Sequence, residues 1–147
     1  MKTLLTLAVL GAATIVAAMP LANAEESTNA GQAYRDIAAT LGTVPSHMKA
    51  YPPSGIAGAW AMSKGLLFDE SNSLEPKVKS LINLAVAAQI PCQYCVWLET
   101  KTAKAQGATD AEVSEAVAQA AYVRHWSTVL NGLQIDFATF KTEFRGN

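Results

Sequence analysis

Hydrophobic residues recur along most of this chain at intervals of three and four positions, the spacing of one face of an α-helix. The clearest example runs from Pro76 to Ile90, where the apolar residues fit the i, i+3, i+4, i+7, i+8 template. These residues are Val78, Leu81, Ile82, Ala85 and Val86. Leu84, Ala87 and Ala88 extend the apolar surface around the helix, and the pattern therefore predicts that this helix is the most buried one.

Capping and stop residues delimit the other predicted helices. These helices cover residues 29–41, 56–68, 92–106 and 109–131, and a short terminal helix carries Phe137, Phe140 and Phe144. Gly42, Gly107 and Gly132 stand directly after three of these segments, where glycine is a common helix stop. Thr109 can cap the helix that follows it, and Glu112, three residues later, can complete a capping box.

The segments between these helices are polar or rich in proline. Residues 43–55 contain Pro45, Pro52 and Pro53, which predict short turns, and residues 69–76 form a polar connection. No stretch alternates between apolar and polar residues in the way that a half-buried strand does. About six helices without a strand predict an all-α fold.

The N-terminal residues 1–24 differ from the rest of the chain. Lys2 precedes an uncharged apolar run from Leu4 to Ala18, and the small residues Ala22 and Ala24 stand before the acidic Glu25. This pattern is typical of a secretory signal peptide, so residues 1–24 are predicted to be cleaved on export to the periplasm or the cell exterior. A retained membrane anchor is the alternative, but a spanning helix needs about 20 apolar residues. Residues 25–147 are predicted to form a single domain.

Charge and cysteine content narrow the function classes. The formal net charge is −1 and no basic run occurs, so neither nucleic acid nor, after cleavage, a membrane is expected as a partner. A metal site needs about four ligands, but Cys92 and Cys95 have only His47 and His125 as further soft ligands. Covalent haem attachment needs a histidine after the second cysteine, where Val96 stands. No metal or other cofactor is predicted.

The two cysteines are separated by two residues in the stretch QIPCQYCVWLETK. As a structural clip, a disulfide that closes so short a loop would stabilise the fold by only about 2 kcal/mol. The same spacing suits a reversible cycle, in which one thiolate attacks and the other thiol resolves. A position in the first turn of a helix also lowers the pKa of a thiol. The pattern therefore favours a redox pair, with the clip as the alternative.

Three further side chains are candidates for moving or donating protons around the pair. Glu99 shares a helix face with both cysteines and could pass protons if its pKa is raised, although it could instead pair with a lysine. His125 has small helical neighbours that leave room for its ring to act as a base, or to be a hydrogen-bonded core residue. Tyr94 could donate a hydrogen bond near the sulfurs, or simply pack.

Three segments together resemble a known family. TVPSHMKAY, SLEPKVKSLINLAVAAQIPCQYCVW and KAQGATDAEVSEAV are similar, in order and spacing, to the carboxymuconolactone decarboxylase family, and specifically to its CxxC-containing AhpD-like branch. The resemblance covers residues 44 to 131, and it is most specific from Leu74 to Val117. It implies an AhpD-like helical fold that assembles as a homotrimer or homohexamer.

The same resemblance implies thiol-dependent peroxidase chemistry. It assigns the sulfenic acid to Cys95 and the resolving thiol to Cys92. The chain departs from the family's best-known proton relay at two positions. Glu99 stands where that relay has a histidine, and Ser80 stands where it has a glutamate. The disulfide chemistry is retained in the motif, but neither relay residue stands at its usual place. Either Glu99 and His125 replace the relay, or peroxidase activity is weak and the pair serves another thiol–disulfide reaction.

Three functions follow from these observations. The leading hypothesis is an exported thiol oxidoreductase that reduces hydroperoxides, with an unidentified thiol reductant as its partner. The second is a decarboxylase or lyase on a small acid, for which Arg124 beside His125 is the residue to test. The third is a non-enzymatic oligomeric binding protein with a permanently closed disulfide.

Overall fold

A computed structural model of the chain describes residues 20–145, with side chains from residue 29 onward. Seven helices and no strand occur in this range, which confirms the all-α prediction. The helices are α1 (Pro20–Leu41), α2 (Ser46–Lys49), α3 (Pro53–Leu67), α4 (Pro76–Gln89), α5 (Gln93–Ala105), α6 (Asp110–Gly132) and α7 (Phe137–Glu143). The additional helix relative to the predicted six is α2, which lies in the segment expected to form only turns.

The start of the chain bears on two predictions. Most of the predicted signal peptide lies outside the described residues, so its cleavage stays a prediction, as do the domain limits at residues 25 and 147. Helix α1 begins earlier than the predicted residue 29. Within residues 20–145 no helix combines the length and the apolar character needed to cross a membrane.

The chain forms two compact units that meet in sequence between Gly65 and Leu66. In the first unit, α1 and α3 share a core whose buried residues are Ala30, Ala33, Ile37, Ile56 and Trp60. The indole nitrogen of Trp60 donates a hydrogen bond of 2.7 Å to Asp36. The same carboxylate pairs with Lys64 at 3.0 Å. Trp60 therefore joins the two helices by both packing and a charge-assisted hydrogen bond.

In the second unit, α4 packs against both α5 and α6. Helices α4 and α5 form an antiparallel hairpin, because the short connection at residues 90–92 turns the chain back on itself. Helices α4 and α6 run parallel. Lys77 at the start of α4 pairs with Glu112 at 2.7 Å, and Gln89 at its end accepts a hydrogen bond from Arg124 at 2.6 Å. The sequence separation is 35 residues in both pairs, so the two helices keep one register along their length.

Helix α4 buries only one side of its apolar surface in the single chain. Ser80, Leu84 and Ala87 are buried, whereas Val78, Ile82 and Val86 are 38–54% exposed. These three residues belong to the helix predicted to be the most buried, and they lie on its exposed side in the single chain. The physical reason is that α4 is apolar on most of its circumference, so periodicity alone does not select the face that meets α5 and α6.

Local signals at the helix ends are mostly confirmed. Gly42 and Gly107 adopt the left-handed conformation, with φ of 77° and 85°, which glycine accommodates without a steric penalty. Thr109 and Glu112 form the predicted capping box. Gly132 was predicted as the stop after α6, but it is the last helical residue. The left-handed residue is Gln134, with φ of 53°.

Candidate active site

Cys92 and Cys95 are joined by a disulfide at the start of α5. Their Cα atoms lie 5.3 Å apart. Cys92 is the N-cap of the helix, and its sulfur accepts a hydrogen bond of 3.2 Å from the backbone N–H of Cys95. Its own N–H donates to the carbonyl of Ala87 in α4, and its carbonyl accepts from Val96 in α5. The backbone of Cys92 is thus bonded to the helices on both sides.

This position suits a reversible dithiol. The first turn of a helix has backbone N–H groups without helical acceptors, and the helix dipole places partial positive charge there. Both features stabilise a thiolate more than a thiol. In the oxidised protein the N–H of Cys95 already points at the sulfur of Cys92. Cys92 and Cys95 are both partly exposed, so a small reactant can reach the pair.

Glu99 lies one helical turn after Cys95 on the same face of α5. The carboxyl group is partly buried, and this desolvation raises its pKa. A hydrogen bond from Asn83 of α4, at 3.5 Å, acts in the opposite direction with a smaller effect. A carboxyl group with a raised pKa is better matched to accepting and returning a proton near neutral pH. No ion pair with a lysine is formed by Glu99 in the described part of the chain.

Asn83 belongs to the part of α4 that meets α5. Ser80 is the buried polar residue of this helix, and Asn83 follows it by three positions, on the same helix face. Asn83 was not among the predicted site residues. The available signal was a carboxamide within an otherwise apolar stretch, LINLAVAA, but its contact with Glu99 depends on the packing of two helices.

Tyr94 points away from the fold, with 78% of its surface exposed. Among the described residues no hydrogen bond joins its hydroxyl group to the sulfurs or to Glu99. Trp97, one turn further along the helix, is also exposed, and the ammonium group of Lys101 lies 5.1 Å from the centre of its ring. Tyr94 and Trp97 thus form an aromatic surface beside the disulfide and not a buried part of the site.

His125 lies on the exposed second half of α6. Its ring meets that of Trp126 edge-on, with 5.2 Å between the ring centres. In the described range no hydrogen bond connects His125 to Cys92, Cys95 or Glu99. That face of α6 is open in the single chain, so the interpretation of His125 as a base stays a prediction.

Arg124 makes a contact with the segment that carries the cysteines. Its Nε atom donates to the side-chain oxygen of Gln89 at 2.6 Å, and Nη2 donates to the backbone carbonyl of Gln89 at 3.2 Å. The amide nitrogen of Gln89 donates in turn to the carbonyl of Ala120 at 2.7 Å. Gln89 was not predicted as a site residue, although it opens the QIPC stretch. The three hydrogen bonds fasten the end of α4 to α6.

The first unit also contains a cleft. An open cleft of about 840 Å³ in the first unit is lined by residues that include Arg35, Asp36, Trp60 and Lys64. None of the predicted site residues lies in that cleft. Over the described residues, no group of three or more histidine, cysteine, aspartate or glutamate side chains could hold a metal ion.

Comparison with known proteins shows the fold and the family of the chain. The solved structure of the alkylhydroperoxidase AhpD core from Rhodospirillum rubrum ATCC 11170 is similar, with a TM-score of 0.65 and 27% sequence identity. The alignment covers 86% of this chain and 94% of the other. No curated protein matches the chain. Residues 57–136, more than half of the sequence, match the profile of the carboxymuconolactone decarboxylase family. The chain has an AhpD-like fold, carries a CxxC pair, and belongs to the carboxymuconolactone decarboxylase family.

Proposed function

We propose that this protein is a thiol-dependent peroxidase that reduces hydroperoxides through the Cys92–Cys95 pair. The observation that carries the proposal is the disulfide in the first turn of α5, where the helix stabilises a thiolate and both cysteines are partly exposed. The similarity to an alkylhydroperoxidase core supports the same chemistry.

The reaction has two chemical steps and a reductive reset. The Cys95 thiolate attacks the outer oxygen of a hydroperoxide, so that an S–O bond forms, the O–O bond breaks, and an alcohol leaves with a proton. The Cys92 sulfur then attacks the sulfenic acid at Cys95, which forms the disulfide and releases water. An external thiol reductant supplies two electrons and two protons to restore the dithiol.

Glu99 is the proton carrier in this proposal. The raised pKa of its carboxyl group suits it to take the proton of Cys95 and to return a proton to the departing oxygen. Asn83 holds one carboxylate oxygen and keeps the group on the side of α5 that faces α4. His125 is given no step here, because its ring lies on the open face of α6 with Trp126 as its aromatic partner.

The test uses the reduced protein with one equivalent of hydrogen peroxide or an organic hydroperoxide, and follows the loss of thiols. The sequence contains only two cysteines, so every thiol counted belongs to the pair. Rapid loss of both thiols is expected in the unmodified protein. Cys92→Ser should accumulate a sulfenic acid at Cys95 that a dimedone-type reagent traps, whereas Cys95→Ser should react no faster than a free cysteine.

The opposite results identify the alternatives. If the unmodified protein loses its thiols no faster than free cysteine does, the peroxidase proposal fails. Full function of a double Cys→Ser variant would instead point to a binding protein or to the decarboxylase reaction. Conversion of a small acid by that double variant, abolished by Arg124→Met, would favour the decarboxylase.

We further propose that the protein is exported and acts outside the cytoplasm. The support is the apolar N-terminal run followed by small residues before Glu25. Expression in a Gram-negative host, followed by fractionation and N-terminal sequencing, should give a mature chain that begins at Glu25. An intact Met1 in the cytoplasmic fraction would contradict export.

A further inference from the structure

Gln89 stands three residues before Cys92. Its hydrogen bonds with Arg124 have no role in the steps proposed above. Arg124 binds both the side chain and the backbone carbonyl of the same residue, at 2.6 and 3.2 Å. A guanidinium group presents several N–H donors in a fixed planar arrangement, which allows this two-point contact. Gln89 completes the network with its bond to Ala120. The last residue of α4 is thus held at three points.

The contact with Arg124 also provides a hydrogen-bond donor for a backbone carbonyl group at the C-terminal end of α4. The last carbonyl groups of an α-helix lack helical donors, and they carry the negative end of the helix dipole. Helix α4 has no basic residue in its own last turn, and Arg124 of α6 supplies the positive charge there. Another of these carbonyls, that of Ala87, accepts the N–H of Cys92 at 3.2 Å. Arg124 therefore holds the end of α4 in place, and the end of α4 in turn holds the backbone of Cys92.

We propose that Arg124 and Gln89 are positioning residues for Cys92, which hold its backbone in place so that its thiol remains beside Cys95 in the reduced protein. The proposal rests on the reversible dithiol cycle of the proposed function. Closing a disulfide is favoured when the second thiol is already oriented, since little freedom remains to be lost. Without the contact to α6, residues 89–92 gain freedom in the dithiol state, and the disulfide becomes easier to reduce.

The experiment measures the equilibrium between the purified protein and glutathione redox buffers, without any peroxide. Arg124→Met should lower the equilibrium constant for disulfide formation about tenfold, which corresponds to about 30 mV for a two-electron couple. Gln89→Met should have a similar effect. The double variant should change the constant no more than either single variant does, because both remove the same contact. Arg124→Lys, which keeps the charge and can bind one acceptor, should restore part of the effect.

Lys77→Met is the matched control, since it removes a hydrogen bond between α4 and α6 at the far end of the same helix pair. It should lower thermal stability and leave the thiol–disulfide constant unchanged. An equal change of the constant in Lys77→Met and Arg124→Met would overturn the positioning role and leave only a structural one, and so would additive effects of Arg124→Met and Gln89→Met. Because no peroxide is used, a protein that fails to reduce hydroperoxides still gives a clear result.

Discussion

Apart from the two cysteines, Glu99 is the residue with the most direct role in the proposed chemistry. Burial raises the pKa of its carboxyl group, and the bond from Asn83 offsets part of that shift. An acid whose folded-state pKa is raised favours folding below its unfolded pKa, and this contribution is lost as the pH rises through the folded value. The folded protein thus tolerates a charged Glu99 less well than the unfolded chain does, which makes the carboxylate a better proton acceptor.

Replacing Glu99 by glutamine tests this role. Glu99→Gln keeps the size and a hydrogen-bonding partner for Asn83 but cannot take a proton. The rate of thiol loss with hydroperoxide should fall on the order of 100-fold, as for other general acid–base groups. The pH profile of the rate should also lose the limb that reports the Glu99 carboxyl group. Stopped-flow measurement of thiol loss between about pH 5 and pH 9 gives both quantities.

Glu115→Gln on the exposed surface of α6 is the control for this change, because Glu115 makes no contact with the cysteine pair in the described structure. Its rate and pH profile should match those of the unmodified protein. A Glu99→Gln variant that keeps the unmodified rate at every pH would exclude the carboxyl group as the proton carrier.

For single residues, the sequence predicts which side chains share one face of the same helix. The spacing of Cys92, Cys95 and Glu99 is a property of α5 alone, so it could be read from the order of the residues. Asn83 and Gln89 act through neighbours that are 16 and 35 positions away. Such contacts depend on how three helices pack, and no local pattern encodes them.

Among the helices, the parallel pair α4 and α6 has a charged contact at its N-terminal end. Glu112 accepts hydrogen bonds of 2.7 Å from Lys77 and from the backbone N–H of Thr109. These bonds lower the pKa of the Glu112 carboxyl group from 4.5 to about 2. The hydrogen bond from Lys77 is the largest cause, and the one from the Thr109 backbone is the second. A carboxyl group with a depressed pKa stabilises the fold above its unfolded value, and this contribution is lost as the pH falls toward about 2.

Acid unfolding should therefore depend on Glu112. The unmodified protein is expected to lose thermal stability between about pH 4.5 and about pH 2, the interval between the two pKa values. Glu112→Gln should have a lower Tm at neutral pH and a smaller decrease of Tm across that interval. Circular dichroism melts at a series of pH values measure this, with Glu115→Gln as the control. Parallel Tm curves for Glu112→Gln and the unmodified protein would contradict the assignment.

The helix boundaries were more predictable than the buried faces. Gly42, Gly107 and the Thr109 capping box act within a few residues, and the ends that they indicate are observed. The predicted stop at Gly132 differs because α6 includes this residue and the backbone reverses at Gln134. The face of α4 could not be chosen from the sequence, since a helix with apolar residues on most sides fits several partners equally well.

For the molecule as a whole, the prominent feature of the second unit is exposed apolar surface. Val78, Ile82 and Val86 are exposed along α4, and Tyr122, Val123 and Trp126 are exposed on α6. Soluble monomers rarely leave large apolar patches in water. The exposed residues of α4 also belong to the helix that the sequence pattern predicted to be the most buried, and burial in an assembly would account for their apolar character. We therefore propose that the chain forms a homo-oligomer, for which the resemblance to the AhpD-like branch implies a trimer or a hexamer.

Light scattering after size-exclusion chromatography should give the mass of three or six chains. Val123→Asp places a charge on the exposed apolar face of α6 and should shift the protein toward smaller species, because burying an unpaired carboxylate is unfavourable. Ser114→Asp is the matched control, since Ser114 is an exposed polar residue on the side of α6 opposite Val123, and this variant should keep the mass of the unmodified protein. A monomer at all concentrations would refute the assembly.

Both cysteines lie at the start of α5, and this position determines how much the fold must move in the proposed redox cycle. Two electrons would enter or leave through a bond between residues three positions apart. The cycle therefore requires no helix to slide along another or to separate from it. The oxidised and reduced proteins should have nearly the same hydrodynamic radius. Protein fixed to a solid support should therefore continue to turn over as long as reactants can diffuse to it.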